Sequence, residues 1–94
     1  MNYEWDENKR ISNLEKHGVD FVAAIEIFKD KERIETEDTR KDYGEVRLQS
    51  IGEARPGVLF VVYTLRDKGS TRRLISARKA NLKERTIYLS LKGK

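Results

Sequence analysis

The centre of the fold is predicted by residues 58–65, which have the sequence VLFVVYTL. Nearly all of these residues are β-branched, aromatic or leucine, a composition that is typical of a strand buried inside a sheet. Residues 52–57, which include the single proline, precede this stretch, and residues 67–70, Asp-Lys-Gly-Ser, follow it. Both flanking segments have the composition of turns, so we predict a central strand with a hairpin at each end.

Further strands are predicted on both sides of this stretch. Residues 45–51 and 72–78 alternate polar and apolar side chains, as strands with one buried face do. Residues 3–5 and 32–36 are candidates for short strands, and residues 37–42 for a charged loop. We therefore expect an antiparallel sheet of about four to five strands.

Two helices are predicted in the first third of the chain. A polar helix fits residues 7–17, because Asp6 can cap its first amides and Gly18 can adopt a left-handed conformation at its end. After Asp20, which is another capping residue, apolar side chains recur at the spacing of a buried helix face. This spacing predicts a second helix over residues 21–28.

A last, amphipathic helix is predicted from residue 80 or 81 to about residue 91. The order of elements, β-α-α-β-β-β-β-α, is typical of the α+β class. A chain of 94 residues is too short for two separate cores. We therefore predict one domain over residues 1–94, in which the sheet packs against two N-terminal helices and a C-terminal helix.

The composition excludes several classes of protein. The chain has no cysteine, which excludes disulfides, thiolate zinc sites and a cysteine nucleophile. It has one histidine, His17, and we predict no metal site and no cofactor. No apolar stretch reaches the length of about 18 residues that a membrane span needs, and no secretory signal is recognised, so we expect a cytoplasmic protein. The net charge of +4 permits a polyanionic partner.

The hairpins predict which residues lie opposite each other, and opposed residues share a face of the sheet. The predicted neighbours are Arg66 with Arg72, Val62 with Ser76, Phe60 with Arg78, Arg47 with Val62, and Glu45 with Thr64. One face is then an apolar core, made of Val46, Leu48, Leu59, Val61, Tyr63, Leu65, Ile75 and Ala77. The other face is rich in arginine and carries Tyr43, Glu45, Arg47, Gln49, Thr64, Arg66, Arg72, Ser76 and Arg78, with Phe60, Val62 and Leu74 between them.

The spacing of these arginines limits what they can bind together. Arg66 and Arg78 are expected six residues apart along the sheet, or roughly 20 Å, which is too far for one phosphate. They suit phosphates several nucleotides apart on one extended strand, because guanidinium groups pair well with phosphate oxygens. In the structural alternative, the arginines only keep an exposed face soluble.

Four short motifs stand out along the chain: Tyr3-Glu4-Trp5-Asp6, Lys16-His17-Gly18, Tyr43-Gly44-Glu45 and Ile75-Ser76-Ala77-Arg78-Lys79-Ala80. They are accompanied by Lys9, Asn13, Asp38, Arg40, Arg47, Val62, Thr64, Arg66, Glu84, Arg85 and Tyr88. In this order, these residues resemble the BrnT family of bacterial ribonuclease toxins. The resemblance covers almost the whole chain.

This resemblance implies a RelE-like fold and an RNA cleavage, with weak or no sequence preference, that halts translation. It also implies neutralisation by a BrnA-like antitoxin that carries a ribbon-helix-helix DNA-binding region. The expected complex is a heterotetramer with two antitoxins. Operator DNA is then bound only through the antitoxin.

Metal-independent RNA cleavage needs a base for the 2′-hydroxyl, positive charge at the phosphate and an acid for the leaving 5′-oxygen. Arg78 precedes the last helix, whose N-terminal amides favour an anion, and His17 is the sole histidine. The interpreted catalytic residues are Arg78, Arg66, His17, Glu45 and Lys9. The interpreted RNA-binding residues are Arg47, Arg72, Lys79, Tyr43 and Arg85.

Other interpretations of the same residues stay open. His17 can simply contact free carbonyls at a helix end, and Glu45 can form a salt bridge with a nearby arginine. The whole arginine-rich face can also belong to a non-catalytic module that binds RNA or an acidic protein. A DNA-binding regulator is disfavoured, because the chain lacks a clear helix-turn-helix and the helix over residues 21–28 is too apolar to read a groove.

Overall fold

Five strands form one sheet within residues 1–40 and 42–92, which are the residues that the computed structural model describes. They are β1 (Asn2–Glu4), β2 (Ile34–Asp38), β3 (Arg47–Ala54), β4 (Gly57–Arg66) and β5 (Thr71–Lys79). The strands lie side by side in the order β1-β5-β4-β3-β2. The stretch predicted as the central strand is therefore confirmed, since β4 occupies the middle of the sheet.

The sheet is mixed, and the prediction of an antiparallel sheet is wrong at one edge. β1 pairs with β5 in the parallel direction, with Asn2 opposite Thr71 and Glu4 opposite Arg73. The other three pairings are antiparallel. A pairing between residues so far apart in the chain has no local signal, whereas the hairpins are set by their turns.

The charged loop predicted over residues 37–42 is shorter than expected. β2 includes Glu37 and Asp38, because it pairs with β3 along its full length and ends with Asp38 opposite Arg47. Residue 41 of the predicted loop lies outside the described residues.

The first predicted helix is confirmed as α1 (Glu7–His17). The carboxylate of Asp6 accepts hydrogen bonds from the backbone N–H groups of Asn8 and Lys9, at 2.9 and 3.4 Å. Gly18 ends the helix with a φ of 72°, a left-handed conformation that glycine adopts without steric cost. Local capping chemistry thus determines both ends of α1.

The second predicted helix, over residues 21–28, is α-helical only in α2 (Phe21–Ala24). It continues as a 3-10 helix over Ile25–Lys29, which lies close to β3. Gly52 permits this approach, since a β-carbon built there would lie 3.0 Å from the β-carbon of Ile27. The last helix, α3 (Leu82–Leu91), is confirmed, with Asn81 and Glu84 forming a reciprocal capping box.

The register of the two hairpins differs in detail from the predicted one. The pairs Val62 with Ser76 and Phe60 with Arg78 are confirmed. The hairpin between β3 and β4 closes around residues 55 and 56, one position later than expected, so Arg47 lies opposite Thr64. Both partners still point to the same face.

A register shift in β5 changes the face of two residues that were predicted to lie on the arginine-rich face. Val62 lies opposite Ser76, but Tyr63 lies opposite Leu74, so Ile75 is an extra residue in β5. Beyond this bulge Arg72 lies opposite Leu65, on the face with Tyr63, and Leu74 joins the core. The predicted placement of Arg72 and Leu74 on the arginine-rich face is wrong for this reason.

The core lies between one face of the sheet and the α2 region. Val46 and Leu65, which were predicted to belong to this core, are 60% and 45% exposed. The buried cluster comprises Val19, Phe21, Ala24, Ile27, Leu59, Val61, Leu74 and Ala77. Within the described residues, no helix is long and apolar enough to cross a membrane.

Candidate functional site

One face of the sheet carries most of the charged side chains that were predicted to act together. We call it the arginine face. Its opposed residues across β3, β4 and β5 are Ile51, Phe60 and Arg78 in one row, Gln49, Val62 and Ser76 in the next, and Arg47, Thr64 and Arg73 in the third, followed by Arg66.

A cleft of about 220 Å³ lies between the start of α1 and the third row of the arginine face. We call it the basic cleft. It brings together four of the predicted site residues, Lys9, Glu45, Arg47 and Arg66. Its complete lining is Asp6, Lys9, Glu45, Arg47, Thr64, Arg66, Arg73, Leu74 and Ile75. Four cationic side chains therefore face two carboxylates, which leaves an excess of positive charge.

Glu45 is ion-paired in the basic cleft. Its carboxylate accepts hydrogen bonds from Nε of Arg47 at 3.4 Å and from Nη2 of Arg66 at 3.2 Å. The carboxylate of Glu45 thus holds both arginines. This is the salt bridge that the sequence analysis gave as the alternative to a catalytic role for Glu45. A phosphate that bound the two guanidinium groups would displace Glu45 and leave its carboxylate beside the bound RNA.

His17 lies beside the basic cleft. It is exposed at the end of α1 and lines an adjoining cleft of about 170 Å³ with Lys16 and Ser76. Lys9 lines both clefts. Lys9 and His17, both predicted to be catalytic, therefore line clefts on the same side of the sheet.

Arg78 lies at the other end of the arginine face. Its Nη1 and Nη2 donate to the carboxylate of Glu84 at 2.8 and 2.9 Å, and its guanidinium lies 4.2 Å from the ring centre of Phe60. The hydrogen bonds that Arg78 donates to Glu84 raise the pKa of Arg78 and lower the pKa of Glu84. Because Phe60 and Thr64 are four residues apart in β4, Arg78 lies roughly 13 Å from the third row.

Two predicted RNA-binding residues do not line the basic cleft. Lys79 is opposite Leu59, so it points to the other side of the sheet from its neighbour Arg78. Arg85 is exposed on α3. Lys79 therefore lies apart from Arg78, which was predicted to bind a phosphate at the start of the last helix.

Arg72 points into an aromatic cage on the core side. Its guanidinium lies 4.1 Å from the ring centre of Phe28 and 5.7 Å from that of Tyr63, and it donates to the hydroxyl of Tyr3 at 3.1 Å. Arg73 replaces it on the arginine face, where its Nη1 lies 2.6 Å from the carboxylate of Glu4. The sequence analysis missed Arg73, and the β-bulge that exposes it has no recognisable sequence signal.

The predicted base-stacking residue Tyr43 lies against the arginine face. The guanidinium of Arg47 is 4.0 Å from its ring centre, and its hydroxyl donates to Asp38 at 3.1 Å. Asp38 also binds Arg40. The sequence analysis gave no role to Asp38 or Arg40, although their spacing of two residues allows such a pair at the end of a strand.

An α+β domain that gathers four cationic side chains in one cleft beside its sheet has the features of a polyanion-binding protein. The family model described as "Ribonuclease toxin, BrnT, of type II toxin-antitoxin system" matches residues 5–84. The chain therefore belongs to the BrnT family of ribonuclease toxins. A comparison with curated proteins found no match.

Proposed function

We propose that this protein cleaves RNA on the arginine face, without a metal ion, by attack of a 2′-hydroxyl on the adjacent phosphate. Membership of the BrnT family supports a ribonuclease toxin of a type II system. The observation that carries the location is the basic cleft, where Lys9, Arg47, Arg66 and Arg73 converge beside Glu45. The RelE-like fold that the resemblance implies belongs to the same proposal.

The cleavage places the scissile phosphate in the basic cleft. Arg47 and Arg66 exchange Glu45 for the phosphate and stabilise the charge that develops on its oxygens. The released Glu45 accepts the proton of the 2′-hydroxyl as the new bond from that oxygen to phosphorus forms. The bond to the 5′-oxygen breaks, and the products are a 2′,3′-cyclic phosphate and a 5′-hydroxyl.

The leaving 5′-oxygen takes its proton from Lys9 or His17, which line adjoining clefts. Single variants separate these two donors, because only the loss of the true donor slows the departure of the 5′-oxygen. If His17→Gln loses kcat and Lys9→Gln keeps it, His17 is the proton donor. The reverse result assigns the step to Lys9.

Arg78 binds a different phosphate of the same RNA strand. Its distance of roughly 13 Å from the third row excludes a shared phosphate with Arg47. The floor between the two ends consists of Gln49, Val62 and Ser76, of which Ser76 offers no steric obstacle to an extended strand. Arg78 therefore contributes more to RNA affinity than to the chemical step.

The antitoxin that a type II system requires is proposed to be BrnA-like, with a ribbon-helix-helix region, and to cover the arginine face with acidic side chains. Two antitoxins would join two toxins in a heterotetramer, and the complex would bind operator DNA only through the antitoxins. The antitoxin would also prevent the cytoplasmic toxin from halting translation. RNA binding measured with and without the purified antitoxin tests this role. Undiminished RNA binding in the complex would contradict coverage of the face.

Cleavage of a short naked RNA by the antitoxin-free protein in EDTA tests the proposed function. We expect fragments that end in a 2′,3′-cyclic phosphate, a loss of kcat in Arg66→Ala and a raised KM in Arg78→Ala. If the folded wild type binds RNA but cleaves none, the protein acts on naked RNA only as a binding module, which is the alternative function.

A further inference from the structure

A second cleft, of about 170 Å³, continues the basic cleft along the side of α1. We call it the helix cleft. Lys9 and Ile75 line both clefts, which makes them direct neighbours. The walls of the helix cleft are α1 and β5, and they are joined where Asn13 hydrogen-bonds to the backbone of Ala77. The width of the helix cleft is therefore set by contacts within the fold.

Hydrogen-bond donors line the helix cleft from both walls. Lys9, Ser12 and Lys16 are three and four residues apart in α1, a spacing that places them on one face of the helix. Ser76 lines the cleft from β5. Ammonium and hydroxyl groups are the side chains that bind phosphate oxygens in proteins, so this set of donors suits a phosphate.

The lysines of the helix cleft have no acidic partner within residues 1–40 and 42–92. Neither Lys9 nor Lys16 forms a salt bridge there. Arg47 and Arg66 of the basic cleft, in contrast, are both paired with Glu45. An anion that binds Lys16 therefore displaces no carboxylate, whereas one that binds the two arginines first has to displace Glu45.

The spacing of the two clefts fits two successive phosphates of one strand. Lys9 and Lys16 are seven residues apart in α1, about 10 Å along the helix axis, so Lys16 cannot share a phosphate in the basic cleft. On the sheet, the row of Ser76 lies two residues of β4 from the row of Arg73, roughly 7 Å away. An extended RNA strand spans such a distance between neighbouring phosphates.

We infer that the helix cleft binds the phosphate that follows the scissile phosphate on its 3′ side, with Lys16, Ser12 and Ser76 as donors. The inference rests on the proposed function, in which Lys9 or His17 protonates the leaving 5′-oxygen. Both of these residues line the helix cleft, so the nucleotide that carries the 5′-oxygen lies on this side of the scissile phosphate. The 3′-phosphate of that nucleotide then meets Lys16, and the RNA runs from the basic cleft along α1.

Dinucleotides with 2′-O-methyl riboses test the site, because they have a single internal phosphate and lack the attacking hydroxyl. Three probes are compared, which carry no terminal phosphate, a 3′-terminal phosphate or a 5′-terminal phosphate. We expect the 3′-phosphate to strengthen binding to the wild type on the order of tenfold, since hydrogen bonds to charged groups are the stronger ones. An NMR titration measures these weak affinities and should show shifted amide signals for Ser12 and Lys16.

Lys16→Ala should remove most of the gain from the 3′-phosphate and leave the affinity for the probe without a terminal phosphate nearly unchanged. Lys83→Ala is the matched control, because Lys83 is an exposed lysine of α3 and its loss changes the net charge equally. Ser12→Ala keeps the net charge and should lower the gain about threefold.

The inference is overturned if the gain from the 3′-phosphate survives in Lys16→Ala or falls equally in Lys83→Ala. It is also overturned if only the 5′-phosphate gives a gain that depends on Lys16, because the strand would then run in the opposite direction. Lys16 and Ser12 are exposed, so both variants are expected to fold, and thermal unfolding checks this.

Cleavage of unmodified RNA, measured in parallel, keeps the two proposals distinguishable. If the 3′-phosphate strengthens binding through Lys16 but the wild type cleaves no RNA, the phosphate site stands and the proposed function fails. If the wild type cleaves RNA and Lys16→Ala leaves both KM and the gain from the 3′-phosphate unchanged, the proposed function stands and the site fails.

Discussion

The side chain of Asn13 binds both backbone groups of Ala77. Its Nδ2 donates to the carbonyl of Ala77 at 2.7 Å, and its Oδ1 accepts from the N–H at 3.1 Å. β1 pairs only with residues 71–73 of β5 and does not reach Ala77. The side-chain amide of Asn13 makes the two hydrogen bonds that a neighbouring strand would make there. The contact holds α1, and with it Lys9 and His17, at the edge of the arginine face.

We expect Asn13→Ala to lower the free energy of unfolding by about 2–4 kcal/mol, because it leaves buried backbone groups of Ala77 and Val19 without partners. Urea denaturation measures this loss. Asn8→Ala is the control, since Asn8 is exposed on the same helix. Equal stability of the two variants would show that the amide is not needed to join α1 to β5.

Arg72 and Arg73 are neighbours in sequence but should have opposite mutational effects. Arg72→Ala removes the cation from its aromatic cage and should lower stability by about 1–2 kcal/mol without changing the RNA affinity of the folded protein. Arg73→Ala should weaken RNA binding and reduce its salt slope with little loss of stability. Thermal unfolding and a binding titration check both variants, and a reversed pattern would contradict the position of the bulge.

In the proposed RNA complex, Glu84 competes with the RNA for Arg78. We expect Glu84→Gln to raise RNA affinity severalfold, because the neutral amide keeps the capping box with Asn81 but releases the charge of Arg78. Glu15→Gln makes the same change in net charge at an exposed position of α1. A similar gain of affinity in both variants would mean that net charge alone is responsible.

Tyr88 should make stability depend on alkaline pH. Burial, aided by its hydrogen bond to Asp30, raises the pKa of Tyr88 above its usual range. The unfolded chain ionises near pH 10 while the native protein stays protonated, so this contribution is complete below pH 10 and is lost as the pH rises.

We therefore expect Tyr88→Phe to be about 1–3 kcal/mol less stable than the wild type at neutral pH, with a difference that shrinks above about pH 10. Burial also raises the pKa of Tyr63, but this residue is present in both proteins and cancels in the comparison. Denaturant titrations at several pH values measure the difference. A constant gap across that range would contradict the role of the Tyr88 proton.

The sequence predicted the elements whose signals are local. Both ends of α1 follow from the capping residues Asp6 and Gly18, and the strand composition of residues 58–65 identified the centre of the sheet. The parallel pairing of β1 with β5 could not be predicted, because nothing near Asn2 or Thr71 records which distant strand lies beside it.

The candidate site was predictable only in part. Lys9, Glu45, Arg47 and Arg66 were identified by residue type and pattern, and the basic cleft gathers all four. Arg73 was missed because the extra residue in β5, Ile75, reverses the face of the sheet to which the side chains of residues 71–74 point.

The position of β5 between β1 and β4 has a consequence for synthesis of the chain. β1 has no partner strand until residues 71–79 have left the ribosome. In the same way, Asn13 cannot bind α1 to β5 before Ala77 is available. The proposed RNA-binding face of a nascent chain therefore stays incomplete until β5 has emerged, so it cannot act at full strength on the RNA around it before that point.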